Sequence, residues 1–157
     1  MQNDPLQNAL YLAGLGLRVF PLVPGKKQPA FPGWKDKATT DTQQIHDWWS
    51  RDYVGYGVGV ATGRNLMVLD ADVKSGQPGL ASLEQMLAEH DWGPTLTVET
   101  PSGGRHVYLQ VADGKHIPNV LGTLPGYPGI DIKGDGGFVA APGSVDAKGV
   151  PYKFLTQ

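Results

Sequence analysis

The sequence predicts an α+β fold for this chain of 157 residues. Three short segments have the spacing of apolar side chains that is typical of helices, and short apolar or alternating runs typical of strands lie between them. The 22 glycines and 13 prolines indicate many turns, so we expect several strands to follow one another as hairpins. Helices mixed with adjacent hairpins favour an α+β fold over a regular alternation of parallel strands and helices.

Each of the three predicted helices carries a local signal. Asp4-Pro5 is typical of a helix start, because an acid caps free amides and proline fits the first turn; this helix ends at Gly14 or Gly16. Thr40-Asp41-Thr42-Gln43 has capping-box spacing and opens a second helix. Apolar residues at helical spacing predict the third helix through residues 80–87.

The predicted strands are short and separated by turns. Residues 62–65 form a turn between two of them, and a hairpin is expected around Gly134-Asp135-Gly136. In the strand over 105–111, Val107 and Leu109 point to one side, while His106 and Tyr108 point to the other. In chain order, strands are predicted at 18–23, 57–61, 66–72, 95–99, 105–111, 129–133, 137–141 and 152–155.

Composition excludes several functional classes. A net charge of −2 gives no strong overall attraction to nucleic acid. The absence of cysteine removes disulfides and cysteine-based metal sites, and the four histidines lack paired zinc spacing, so no structural zinc is expected. No apolar stretch has the length of a membrane span and no signal peptide begins the chain, which predicts a cytoplasmic protein without membrane contact.

Two acids stand at the end of an apolar predicted strand. Leu66 to Leu69 are four consecutive large apolar residues, and Asp70 and Asp72 follow them. Because side chains alternate along a strand, both carboxylates project from one face, about 6.5–7 Å apart at their Cα atoms. An unpaired carboxylate near a core is costly, so we expect a divalent cation held by oxygen ligands. A surface turn or a structural ion pair is the alternative, since a lone D-x-D motif is a weak signal.

A third acid lies in another predicted strand. In Ile130-Asp131-Ile132-Lys133 the isoleucines face one side, and Asp131 shares the other with Lys133. With His106, three strands then present one polar face, which suits phosphate chemistry assisted by two divalent ions. Lys133 and His106 would offset the charge of a triphosphate, and the Gly103-Gly104 backbone would approach a phosphate closely.

These residues also have ordinary structural explanations. Asp131 is able to pair with Lys133 or Arg105, and a single His106 is typical of a packed core histidine. The glycine pairs are equally consistent with hairpin turns. Lys26 and Lys27 are explained by a solvated loop. Trp48 and Trp49 are explained by packing on a helix face rather than by stacking of bases.

A series of motifs in a fixed order resembles the N-terminal domain of bifunctional DNA primase/polymerases, in the archaeo-eukaryotic primase superfamily. The resemblance covers roughly residues 6–155, and several motifs in order are more specific than any one alone. The motifs are Gly25-Lys26-Lys27-Gln28-Pro29, Trp34, Thr62-Gly63, Asp70-Ala71-Asp72, Thr100-Pro101-Ser102-Gly103-Gly104-Arg105-His106, Gly129-Ile130-Asp131-Ile132-Lys133, Gly136-Gly137 and Ala141-Pro142-Gly143-Ser144.

The resemblance implies a role for each site residue. It makes Asp70, Asp72 and Asp131 the metal ligands, and His106 the contact to the phosphates of the incoming nucleotide, with Lys133 beside it. Arg105 and Ser102 are implied as triphosphate or sugar contacts, and together with Gly103 and Gly104 they complete the predicted nucleotide-binding segment. It also implies an RRM-like sheet with a smaller α/β unit, and an active site on the sheet face between them.

The chain departs from the family pattern at two positions. A small hydroxyl residue commonly stands two residues before the histidine, where this chain has Gly104. The later family pattern often reads Pro-Pro-Ser, where this chain has Pro142-Gly143-Ser144. Both departures concern fine contacts rather than the carboxylates.

The resemblance implies template-directed nucleotidyl transfer with Mg²⁺ or Mn²⁺, that is, DNA primase or polymerase activity. The expected partners are ribo- or deoxynucleoside triphosphates, a single-stranded DNA template and primer, and a fused or associated helicase. We expect residues 1–157 to be one catalytic domain of a longer protein that replicates a phage, plasmid or integrated element. Two rivals stand beside this: a metal-dependent nuclease or replication initiator, and a catalytically silent module that binds nucleotides or single-stranded DNA.

Overall fold

A computed structural model describes residues 3–121 and 124–156 and confirms the α+β class. The elements in chain order are α1 (Pro5–Gly14), β1 (Val19–Leu22), α2 (Trp34–Lys37), α3 (Thr42–Asp47), β2 (Gly57–Ala61), β3 (Leu66–Ala71), α4 (Gly79–Glu89), β4 (Thr97–Glu99), β5 (Arg105–Gln110), β6 (Ile130–Lys133), β7 (Phe138–Ala141) and β8 (Lys153–Thr156). A π-helical turn, Trp48–Asp52, continues α3, and a 3₁₀ turn, Lys74–Gly76, precedes α4.

The described chain divides into two compact units. Unit 1 comprises residues 3–61 and 138–153, and unit 2 comprises residues 62–121, 124–137 and 154–156. Unit 1 contains a three-stranded sheet in the order β1-β2-β7, and unit 2 a five-stranded sheet in the order β6-β3-β5-β4-β8. That the whole chain acts as one catalytic domain stays a prediction.

Two helices of unit 1, α1 and α3, have cap signals in the sequence, and each begins within one residue of its predicted start. Asp4 caps α1 by accepting a hydrogen bond from the Gln7 amide, and Pro5 takes the first helical position. The α3 helix begins one residue later than its capping box suggests. Its cap is Asp41, whose carboxylate accepts from the Gln44 amide at 3.3 Å.

A glycine in unit 1 is required by close packing. Phe20 of β1 pairs with Gly59 of β2, and a Cβ on Gly59 would lie 2.6 Å from the Phe20 ring. The same ring stacks on Trp34 with centroids 4.8 Å apart and meets Phe138 edge-on. The ring therefore occupies the space above Gly59 that any other side chain would need.

The sheet of unit 2 buries one face against α4. Its core contains apolar residues from three strands together with Leu83 of α4: Leu69, Ala71, Val107, Leu109 and Ile130. Because side chains alternate, the residues between these, including Asp70 and His106, project from the opposite face. The turn at Thr100–Gly104 joins β4 to β5 as a hairpin.

The predicted turn at 62–65 is present, with the Gly63 amide donating to the Leu66 carbonyl at 2.8 Å. The strands that it joins lie in different sheets, because β2 belongs to the sheet of unit 1 and β3 to that of unit 2. The predicted hairpin around 134–136 is wrong, since β6 pairs with β3 and β7 pairs with β2. Each of these short links carries the chain from one sheet to the other. No helix within residues 3–121 and 124–156 has the length and apolar character needed to cross a membrane.

Candidate active site

Three polar residues form one row across neighbouring strands of unit 2. Asp70 in β3 stands directly opposite His106 in β5 on one side and Asp131 in β6 on the other. The three side chains share the sheet face that α4 does not cover. We call Asp131, Asp70 and His106 the polar row.

His106 is the most buried member of the polar row. Its side chain is only 4% exposed, and its Nε2 atom lies 3.4 Å from Oδ1 of Asp70, whose side chain is 18% exposed. An imidazole in such a place is both packed and in contact with a carboxylate. The position of His106 therefore agrees both with a packed core histidine and with a residue of a polar site.

Lys133 lies two residues after Asp131 in β6, on the same face of the sheet. Its backbone pairs with Val68 of β3, and its Nζ atom is 4.0 Å from Oδ2 of Asp131. The ion pair that the sequence offers as an alternative for Asp131 is therefore present at the limit of ion-pair distance. Both side chains keep about a quarter of their surface exposed, which leaves them accessible to a ligand.

Asp72 lies just beyond the end of β3. Its amide donates to the Gly129 carbonyl at 2.8 Å, so the chain stays beside the segment that leads into β6. The Asp72 carboxylate is turned back and accepts from the Lys74 amide at 2.9 Å. Within the described part of the chain, no three histidine or acidic side chains are grouped closely enough to hold a metal ion as they stand.

The turn before His106 explains one departure from the family pattern. Gly104 packs against β3, where a Cβ would lie 2.3 Å from the Ala71 carbonyl oxygen and 3.0 Å from the Thr100 hydroxyl oxygen. A serine or threonine at this position would overlap with the backbone between Asp70 and Asp72. Ser102 is exposed in the turn, with its hydroxyl 3.4 Å from that of Thr100.

The structure does not bring Arg105 to the polar row. As the neighbour of His106 in β5, it points to the other face of the sheet. There its guanidinium lies 3.4 Å from the Glu99 carboxylate and donates to the carbonyls of Gly103 and Gly104, both at 2.9 Å. In this arrangement Arg105 braces the turn before His106.

A second brace, which the sequence did not suggest, follows Lys133. The Asn119 side chain accepts from the Gly134 amide at 2.8 Å and donates to the Asp135 carbonyl at 2.9 Å. The Asp135 carboxylate in turn lies 3.1 Å from Nδ1 of His116. These contacts fix the chain immediately after β6, and a lone asparagine in a loop carries no sequence signal for them.

A hydrogen-bonded pair outside the polar row, Tyr127 and Glu89, has shifted pKa values. Tyr127 donates a hydrogen bond to Glu89, which lowers the pKa of the Glu89 carboxyl with help from Gln85. The same bond raises the pKa of the Tyr127 phenol. Glu89 is exposed at the end of α4 and Tyr127 is partly buried against the core of unit 2, so this pair links α4 to the segment before β6.

Comparison with known proteins identifies the family. A family model described as bifunctional DNA primase/polymerase, N-terminal (Prim-Pol), matches residues 9–157. The chain belongs to the Prim-Pol family. A search of curated proteins found no significant match.

Membership of the Prim-Pol family gives the general function. It supports a DNA primase/polymerase-type activity in DNA replication, carried out by a nucleotidyltransferase-type enzyme. It also implies nucleotides and DNA as substrates.

Proposed function

We propose that this Prim-Pol domain catalyses template-directed nucleotidyl transfer on the face of its five-stranded sheet, with the polar row as the catalytic centre. One observation carries the proposal: β3 places Asp70 directly between Asp131 and His106. Residues distant in sequence thereby meet on one side of one sheet. An aspartate with only a structural role is expected to form an ion pair with a single cationic side chain. Asp70 instead has a histidine and a second acid as neighbours.

The donor set suits Mg²⁺ or Mn²⁺. Asp70, Asp72 and Asp131 offer only carboxylate oxygens, the ligands that these hard cations prefer. Asp72 would release the Lys74 amide to join the other two acids. Bound divalent ions would make the attacking 3′-hydroxyl more acidic and offset the negative charge that develops on the phosphates.

The side chains around the acids would handle the triphosphate. His106 would donate a hydrogen bond from its imidazole to a phosphate oxygen while Asp70, 3.4 Å away, orients the ring. Lys133 would act as a positive charge near the β- and γ-phosphates. Burial of His106 keeps water from this side of the site and strengthens these interactions.

The reaction then follows as one displacement. The 3′-hydroxyl oxygen of a primer or of an initiating nucleotide attacks the α-phosphorus of the incoming triphosphate. The bond from that phosphorus to the bridging oxygen breaks, pyrophosphate leaves, and the hydroxyl proton passes to solvent. Holding both reactants in line on the polar row supplies the rate enhancement without a covalent enzyme intermediate.

The wider context of the proposal comes from the family. Prim-Pol domains suit replication proteins of phages, plasmids or integrated elements, and a helicase supplied by the same or another chain would unwind the template. We therefore propose a role in the replication of such an element, supported by the match to the Prim-Pol family.

A primer-extension and de novo priming assay with Mg²⁺ or Mn²⁺, using both nucleotide types, tests the proposal. Asp70→Asn removes a charge from the polar row without changing its size, and should lower incorporation by about 100-fold or more. Glu84→Gln, an equal change on the exposed side of α4, is the matched control and should retain full activity. Equal activity of the two variants, or DNA cleavage by the wild type without nucleotides, would contradict the proposal.

A further inference from the structure

Unit 1 contains a cavity that the catalytic proposal does not use. Its volume is about 480 Å³, and none of its lining residues belongs to the five-stranded sheet. The lining residues lie in α2, α3, the π-helical turn and the segments that flank them: Phe31, Lys37, Thr39, Asp41, Gln44, Trp48 and Tyr53. A cavity of this size is large enough for a nucleobase with part of its sugar.

Aromatic side chains form the walls of this cavity. Phe31 contacts both Trp48 and Tyr53, with ring centroids 5.5 Å and 5.6 Å away. Trp48 is 7% exposed and Trp49 is 4% exposed, which confirms that the tryptophan pair serves packing. Phe31 and Tyr53 are only half-buried and so keep ring surface available for a ligand.

The backbone that presents Tyr53 is unusual. The Tyr53 amide donates to the Trp48 carbonyl at 2.6 Å, which closes a π-helical turn. Such turns are rare and occur frequently at functional sites, because the wider ring carries a local cost. Here the turn brings Tyr53 opposite Phe31 at the cavity.

Polar groups at the cavity suit a base and a phosphate. The Gln44 side chain offers both a donor and an acceptor, and Asp41 keeps acceptor capacity beyond its bond to the Gln44 amide. Lys37 lies at the rim with its Nζ atom 5.3 Å from the Phe31 ring centroid. A base edge and a neighbouring phosphate would each find a partner.

The distribution of charge favours DNA as the occupant. Unit 1 has eight lysines and arginines against six acids, whereas unit 2 has five against nine. The excess in unit 1 is concentrated at residues 24–37, which contain four lysines and one acid. An overall net charge of −2 hides this local basic segment.

We propose that this cavity binds a base of single-stranded DNA, with the base stacked on Phe31 and Tyr53 and its phosphate on Lys37. Sequence-tolerant binding of single strands combines aromatic stacking with a basic track in the same way. The inference rests on the proposed function, since the bound strand would be the template. It adds a binding site that lies outside the polar row.

Fluorescence anisotropy with a labelled oligothymidylate, measured in EDTA without nucleotides, tests this site separately from catalysis. Tyr53→Ala should weaken binding by roughly 5- to 150-fold, and Tyr53→Phe should restore it because the ring remains. Tyr56→Ala is the matched control, since Tyr56 packs edge-on against Tyr53 without lining the cavity. It should leave the affinity unchanged.

A lysine pair on α2 gives a second comparison that does not disturb the packing. Lys35 and Lys37 are both exposed and both lie over aromatic rings, but only Lys37 lines the cavity. Lys37→Ala should reduce the slope of log affinity against log salt by roughly 0.7, the value for one phosphate contact to a single strand. Lys35→Ala should leave the slope unchanged.

The outcomes separate this inference from the proposed function. Equal losses for the two lysine variants with no effect of Tyr53→Ala would overturn the site, as would equally tight binding of duplex DNA. Thymidine monophosphate that displaces the labelled oligothymidylate as well as unlabelled oligothymidylate does, at equal concentrations of nucleotide units, would also overturn it. The occupant would then be a free nucleotide. Binding that depends on Tyr53 in a protein that extends no primer would support the site and defeat the catalytic proposal.

Discussion

Replacing Gly104 by serine restores the hydroxyl residue that the family commonly has, and the structure predicts that the change is harmful. A Cβ at position 104 would lie 2.3 Å from the Ala71 carbonyl oxygen. That oxygen belongs to the backbone of β3, which pairs with both β5 and β6, so it cannot move alone. Overpacking of this kind costs roughly 1–3 kcal/mol.

The assay is chemical unfolding of Gly104→Ala and Gly104→Ser beside the wild type. Both variants should lose roughly 1–3 kcal/mol, or about 2–4 °C in Tm for each kcal/mol. Gly14→Ala is the matched control, because a Cβ there meets no atom within 4 Å and the residue ends α1 with no positive φ. It should be neutral or stabilising by up to about 1 kcal/mol.

Loss of catalysis should accompany the loss of stability at position 104. Displacing Ala71 moves Asp70 and Asp72 on either side of it, so primer extension should fall even at temperatures where Gly104→Ser is folded. A Gly104→Ser variant with wild-type stability and wild-type activity would refute the close approach to β3. It would also remove the physical reason for this departure from the family pattern.

Three further predictions follow from single contacts. Lys133→Ala should raise KM for the nucleoside triphosphate by roughly 10- to 100-fold, the worth of a charge-assisted contact, with a smaller change in kcat; an unchanged KM would place Lys133 outside the triphosphate site. Asp4→Ala should cost about 1 kcal/mol in urea unfolding through loss of the α1 cap, and no change would mean that the cap is dispensable. Tyr127→Phe should raise the pKa of Glu89 toward its ordinary value of 4.5 in a carbon NMR titration. Because the folded-state pKa is depressed, the stabilisation by this pair is present above that value and is lost as the pH falls, and Tyr127→Phe should reduce this loss while the Gln85 hydrogen bond remains. A Glu89 pKa that does not respond would show that the bond is absent in solution.

Local signals in the sequence were sufficient for most elements. The acid and proline at the start of α1 fix its first turn because they satisfy local backbone groups, and alternation in β5 separates His106 from Val107. Neither signal depends on distant parts of the chain. The α+β class and the two faces of the unit 2 sheet follow from them.

Strand partners were harder to predict than strands. The turn at 134–136 has the composition of a hairpin, yet β6 and β7 pair with strands far away in sequence. Glycine-rich links serve a hairpin and a crossing between sheets equally well, so composition cannot distinguish them. Pairing of β6 with β3 is nevertheless what places Asp131 beside Asp70.

The candidate site also contains features that local patterns predict and features that they do not. Alternation places each of Asp70, His106 and Asp131 opposite the apolar side of its own strand, whereas the nucleotide contact at Arg105 came from the resemblance. Alternation would have placed Arg105 on the opposite face, where the structure has it. The close approach of Gly104 to Ala71 and the brace by Asn119 depend on distances between segments, which no local pattern contains.

Paramagnetic broadening by Mn²⁺ tests the assignment of the metal site most directly. In NMR spectra of the wild type, the resonances of Asp70, Asp131 and His106 should broaden first as Mn²⁺ is added, and Asp131→Asn should abolish this. His116 beside Asp135, an exposed histidine–acid pair, is the internal comparison and should broaden only at much higher Mn²⁺. Broadening that begins at His116, or that persists unchanged in Asp131→Asn, would contradict a metal centre at the polar row.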